Sequence, residues 1–128
     1  MTAGMHGSFF WNELNTHDAE AAKAFYGETL GWTFKGTPTP FGTYWLAIAG
    51  EIPVGGIFPM DAPHFAGVPN HWLAYIAVDD VDARLKKVAA AGGQVMREPM
   101  DIPDVGRFGL VKDATGAMIA LITPAARR

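Results

Sequence analysis

Few side chains in this sequence can do chemistry, and the absences narrow the choice. None of its 128 residues is cysteine, which excludes disulfides, thiolate metal centres and thiol nucleophiles. The four histidines, His6, His17, His64 and His71, have no cluster spacing. His6, His17 and His64 fall in the N-terminal tail, a helix-entry turn and a proline-rich linker, and read as surface residues. No Ser-His-Asp order stands out. Gly55-Gly56 and Gly92-Gly93 are isolated pairs, not parts of a phosphate-binding loop. Glu13 and His71 each sit in a strand-like run. Glu13 lies in a short aromatic-rich run, and His71 opens another just after Pro69-Asn70. A carboxylate and an imidazole brought together form an acid–base couple, or half of a makeshift metal site. Glu13 also reads as a partly hydrated carboxylate paired with an arginine such as Arg107. His71 also reads as a strand-end histidine bonded to backbone.

The elements that must position these groups occur twice. Phe9 to Trp32 reads as a strand, a turn, a helix and the start of a second strand, and the stretch from His71 repeats that order. With Asp18 set on Asp80, Gly31 falls on Gly93 and Trp11 on Leu73. Each copy is followed by two further apolar runs, so the chain holds two copies of one β-α-β-β-β module. The predicted modules are residues 8–59 and 70–124, joined by a linker over 60–69, within one domain of 1–128. Asp18 and Asp80 are the predicted helix N-caps. Ala22, Phe25, Tyr26 and Leu30 make one apolar stripe on the first helix; Val81, Leu85, Val88 and Ala89 make the buried stripe of the second. Residues 36–42 and 98–106 read as loops, with prolines in both. Pro53 marks its strand as an edge or as irregular at its start. Trp72, Ala74, Ile76 and Val78 form an apolar strand face that should lie under a helix. Trp32 and Trp45 read as core.

Composition bounds the function class. Apolar residues are 49% and charged residues 18%, with a net charge of -3, an ordinary globular balance. Apart from Arg127-Arg128 there is no basic run to track a phosphate backbone, so nucleic acid is not an expected partner. No apolar stretch approaches membrane-spanning length. The N-terminus lacks the regions of a signal peptide, which makes a cytoplasmic protein the default expectation.

The pattern Asp18…Phe25-Tyr26…Leu30-Gly31-Trp32, then Val78-Asp79-Asp80…Gly92-Gly93 and Asp113-Ala114-Thr115-Gly116, resembles the vicinal oxygen chelate superfamily. That group includes glyoxalase I, bleomycin-resistance proteins and extradiol dioxygenases. The resemblance spans roughly residues 8 to 124 and implies an α+β fold whose eight strands curl around an open cleft between the modules. Metal-using members ligate from the first and last strand of each module. Those positions here are Trp11, Leu73, Ala120 and Gly55 or Gly56, none of which ligates a divalent ion, so no metal and no cofactor is expected. With Trp11 and Leu73 facing the cleft, strand alternation adds Phe9, Glu13, His71, Tyr75 and Met118. Trp11 would supply a stacking surface, and Tyr75 would be core with its hydroxyl in the cleft. The resemblance implies metal-free binding of a small, partly aromatic molecule. Its alternatives are a lyase, isomerase or dioxygenase-like enzyme using Glu13 and His71, with or without a weakly held metal, or a structural role in an assembly. Homodimerisation is expected because each module leaves a strand edge to cover.

Overall fold

The computed structural model describes residues 5–40, 42–61, 63–102 and 105–125. The order of elements is β1 (Phe9–Thr16), α1 (Ala19–Leu30), β2 (Thr33–Thr39), β3 (Gly42–Ala49), β4 (Ile52–Pro59), then β5 (His71–Ala77), α2 (Val81–Leu85), β6 (Gln94–Ile102), β7 (Gly106–Lys112) and β8 (Met118–Pro124). This is an α+β fold of two β-α-β-β-β modules. A 3-10 turn, Pro63–Phe65, lies in the connection between them. Packing divides the chain into one unit of Asn12–Leu73 and another of Met1–Trp11 with Ala74–Arg128. The division passes through β1 and through β5.

In the Asn12–Leu73 unit the strand order is β2-β3-β4-β1. β1 runs parallel to β4, with Glu13 opposite Gly56 and Leu14 opposite Ile57. β4 is therefore interior, and Pro53 marks an irregular start rather than an edge: the register shifts at Ala47/Ile48, where Ile48 faces Pro53. Of the loop expected over 36–42, residues 36–39 are instead strand. β2 pairs with β3 from Thr33↔Ile48 to Thr39↔Gly42, and Pro38 is accommodated because β2 is an edge. Asp18 caps α1, accepting a hydrogen bond from Ala21 N–H at 3.0 Å. Gly31 closes the helix in the left-handed region at φ 76°. The expected stripe is not buried. No residue of α1 is, and Phe25 and Leu30 are 59% and 57% exposed. The aromatic side chains pack laterally instead. Tyr26 stacks on Trp32 at 5.3 Å between centroids and meets Phe25 and Trp72 edge-on. Its hydroxyl accepts the Trp72 indole N–H at 3.2 Å. Trp32 is thus a half-exposed member of a surface cluster rather than core.

The second unit carries the order β5-β8-β7-β6. Tyr75 lies opposite Ala120 on parallel β5 and β8, and Leu110 of β7 lies opposite Ala120 from the other side. Gly7 N–H donates to Ala77 O at 2.7 Å and Ala77 N–H to Ser8 O at 2.9 Å. β6 continues to Ile102 through two register shifts, at Val95/Arg97 and Arg97/Met100, where a loop was expected from residue 98. Pro99 falls within the second shift on an edge strand, the place that tolerates it. Pro103 lies outside the described residues. The core gathers Val78, Val81, Leu85 and Val111, with Ile76, Val88, Val95, Ile119 and Leu121 against it. Ile76 thereby lies under a helix as its strand pattern predicts. α2 is shorter than its apolar pattern, and Ala89 is exposed in the turns that follow it.

Candidate functional site

The side-chain faces of the Asn12–Leu73 unit follow from its register. Lys23 of α1 places its ammonium 3.1 Å from the centroid of the Trp45 ring. Trp45 pairs with Ile57, so Trp45, Ile57 and Leu14 share the face beneath α1. Glu13 and Asn15 on β1, Gly56 and Phe58 on β4, and Tyr44 and Leu46 on β3 occupy the opposite face. Lys35 and Thr37 of β2 pair with Leu46 and Tyr44 and share this face, so its polar groups include Glu13, Asn15, Lys35, Thr37 and the Tyr44 hydroxyl. Glu13 is only 6% exposed. Among the described residues no buried side-chain nitrogen or oxygen lacks a hydrogen-bond partner, so the desolvation cost of a buried carboxylate is offset. A Cβ added at Gly56 would collide with the Tyr44 hydroxyl. The phenol therefore fills the space a side chain at 56 would take, on the face of Glu13 and over the residue paired with it. Adjacent strands lie about 4.8 Å apart. Phe58 extends the wall, its ring edge-on to Phe65 at 5.6 Å.

The other residues singled out from sequence divide between the units. His71 and Leu73 belong with Glu13. Leu73 is buried. The His71 Nδ1–H donates to the Pro69 carbonyl at 2.7 Å, the backbone engagement expected of a strand-end histidine. Phe9, Trp11, Tyr75, Met118 and Ala120 belong to the other unit. There Tyr75 is buried with its ring tilted on Phe108 at 5.9 Å. Ala120 is fully buried, whereas Phe9 and Met118 are exposed. Arg107 is engaged by Asp82 at 3.0 and 3.2 Å and by Asp101 at 3.3 Å, a different pairing from the one considered with Glu13.

Sequence reasoning missed Tyr44. The signal available was the pair Gly55-Gly56 inside a strand, since an interior strand glycine marks a close approach of another group. His17 is exposed as expected, but it is also a fastener. Its ring nitrogens lie 3.0 Å from Met60 O and 2.6 Å from Val68 O, and its N–H donates to Asn70 at 2.9 Å. His6 accepts from Asp79 N–H at 3.0 Å. The His64 side chain and Arg127-Arg128 lie outside the described residues. A hollow of about 320 Å³ at the start of α1 is lined by His17, Asp18, Glu20, Trp45 and Asp61 among others. Its charged walls already serve the cap, the linker fastening and the Glu20–Lys23 pair at 2.9 Å.

The sequence profile of the Glyoxalase/Bleomycin resistance protein/Dioxygenase superfamily matches residues 8–121. The chain belongs to this superfamily. The CFP32 proteins of Mycobacterium bovis and Mycobacterium tuberculosis, which carry a glyoxylase name, are 46% identical over 120 residues, covering 93% of this chain and 45% of theirs. The anthracycline biosynthesis protein DnrV of Streptomyces peucetius is 29% identical, covering 94% of this chain and 48% of its own. This chain thus spans about half the length of these relatives. Among solved structures, methylmalonyl-CoA epimerase from Mycobacterium tuberculosis is similar with a TM-score of 0.64 at 19% identity, covering 98% of this chain and 93% of that one. The Mn(II)-bound glyoxalase from Novosphingobium aromaticivorans gives 0.60 at 22% identity, covering 96% and 42%. These likenesses show the fold.

A divalent metal of the kind one of these structures holds does not fit the residues present here. Trp11, Leu73, Ala120, Gly55 and Gly56 offer no side-chain donor, and among the described residues no group of three or more His, Asp or Glu is placed to hold an ion. One carboxylate is too few donors for a divalent cation.

Proposed function

We propose that this superfamily member binds a small, partly aromatic molecule without a metal, on the sheet face of the Asn12–Leu73 unit that carries Glu13. The observation that supports this reading is a buried carboxylate with the aromatic and apolar side chains of Tyr44, Leu46 and Phe58 on its face, beside a glycine rather than a metal donor. Such a lining suits ring stacking with one or two oriented polar contacts. A second reading has one observation in its favour. The Pro69 carbonyl takes the Nδ1–H of His71, which leaves Nε2 of the neutral ring with its lone pair. An isomerase or lyase could then use Glu13 and His71 as its acid–base pair.

A thermal-shift screen of small aromatic phenols, acids and quinones tests the first reading. It is run on chelator-treated protein and repeated with Mn(II) or Zn(II). A ligand present at a hundred times its Kd adds about 2.7 kcal/mol to the native state, and the rise in Tm is expected to be the same with and without metal. A shift seen only with metal would overturn the reading. Retained binding with turnover abolished by Glu13→Gln would select the second.

A further inference from the structure

We propose that His17 is a pH-sensitive clasp on the connection between the two modules. With both ring nitrogens protonated it bonds the carbonyls of Met60 and Val68 together, and on losing one proton it releases one of them.

The clasp stands on a fixed post. β1 ends at Thr16 and Asp18 caps α1, so His17 is the residue between a strand and a helix. Both of its neighbours are tied. Thr16 O accepts from Met60 N–H at 2.8 Å, and Asp18 N–H donates to the Thr16 hydroxyl at 3.1 Å. The His17 N–H, beyond the end of its strand, donates to the Asn70 side-chain oxygen at 2.9 Å. The ring then lies across the connection. Nδ1 is 3.0 Å from Met60 O and Nε2 is 2.6 Å from Val68 O. Between those two carbonyls the chain makes the 3-10 turn Pro63–Phe65 and turns again at Gly67, at φ 83°. One imidazole thus spans the mouth of the loop.

A carbonyl oxygen only accepts, and a neutral imidazole has one N–H and one lone pair. In either neutral tautomer, one ring nitrogen turns its lone pair on a carbonyl oxygen. With both nitrogens protonated, each carbonyl receives a donor, and the Nε2 contact is of the short kind that charge assistance gives. The charged groups about the ring are Asp18 and Glu20 from the start of α1 and Asp61 from the connection, which line one hollow with it. Lys23 of α1 is paired with Glu20, and His71 of β5 donates to Pro69 O, beside Asn70. A cationic His17 ring therefore meets carboxylates in excess of Lys23. Closing the clasp takes up a proton relative to the open connection. Closure is thus favoured at the acid end of the histidine range, about pH 5, and weakened towards about pH 8. The connection also carries Phe65, whose ring lies edge-on to Phe58, so the clasp acts on the wall of the Glu13 face without belonging to it.

Amide exchange with water, read by NMR, tests the clasp, each rate being referred to that of an unstructured peptide at the same pH. The reporters are Ala66 N–H and Val68 N–H, bonded inside the connection to Pro63 O at 2.9 Å and to Phe65 O at 3.1 Å. Their protection in the unaltered chain should fall about threefold to tenfold between about pH 5 and about pH 8, the scale of one hydrogen bond. The fall should follow the same course in pH as the nitrogen signals of the His17 ring. His17→Gln, which does not titrate, should give equal protection at both ends of the range. His64→Gln, which removes the histidine of the connection itself, should keep the fall. Protection that does not change with pH in the unaltered chain would overturn the clasp. A fall that persists in His17→Gln, or one that vanishes in His64→Gln, would do the same. Should His17→Gln fail to fold, a fall whose course departs from that of the His17 ring would overturn it instead.

Discussion

The two helices occupy the same place in their modules, yet they are held by opposite means. α1 has twelve residues, an Asp18 cap, a left-handed Gly31 stop and a Glu20–Lys23 pair, and none of its residues is fully buried. α2 has five residues, and both Val81 and Leu85 are buried in the core of their unit. Local signals account for a long helix with little packing behind it. Packing accounts for a short one whose following turns are mostly of the i→i−3 kind. The strands of the two units differ as well. The face carrying Glu13 and Tyr44 holds a buried carboxylate, whereas Tyr75, Phe108 and Ala120 bring together two rings and a methyl group. A repeated topology therefore fixes where elements lie without fixing what each copy does.

Substitutions in the two helices should break the symmetry openly. Leu85→Ala is expected to destabilise by about 2–5 kcal/mol, the usual cost of a truncated core leucine. Phe25→Ala, on the exposed side of α1, should cost under about 1 kcal/mol. Urea denaturation measures both, and equal costs would mean that α1 is packed in solution in a way its exposed surface does not show. Smaller effects come from the caps. Asp18→Ala should cost about 1 kcal/mol. Asp80→Ala should cost less, because its bond to Ala83 N–H is longer, at 3.3 Å, and α2 is fastened by its core. A larger loss at Asp80 would reverse that account.

The smallest effect is in acid. Arg84 forms two 2.9 Å hydrogen bonds to Asp79 and holds its carboxyl well below the usual carboxylate range. The Thr115 hydroxyl, with the Ala117 and Thr115 N–H groups, lowers Asp113 in the same direction. A carboxylate with a depressed native pKa stabilises fully above its unfolded value of about 4 and loses that contribution as pH falls through the native value. Stability should therefore decline below about pH 4. Asp113→Asn should flatten that decline, and an unchanged profile would discount the turn. Both groups are exposed, so the expected change is small.

The caps and the turn at Asp113 were legible because their signals are contiguous: a side-chain oxygen bonds a backbone N–H within four residues. The module repeat was legible for the same reason, as spacing along the chain. The strands through 36–39 and 98–102 were not, because their prolines are tolerated only by virtue of an edge position that the whole sheet decides. Phe25 and Leu30 carried a helical period, but a period gives a face and not what covers it. Glu13 was singled out correctly as a strand carboxylate. The place of Tyr44 over Gly56 was invisible, since it joins residues on different strands and depends on an atom that glycine lacks.

The prolines at the sheet edges have a consequence for self-association. Strand-to-strand addition between copies needs an uninterrupted row of N–H donors, and Pro38 and Pro99 each remove one from β2 and β6 while inserting a rigid ring. β6 is further broken by its two register shifts. A fibre or a dimer that grew by extending these sheets would meet that gap at either end. The residues that break the edges thus oppose edge-to-edge addition of strands.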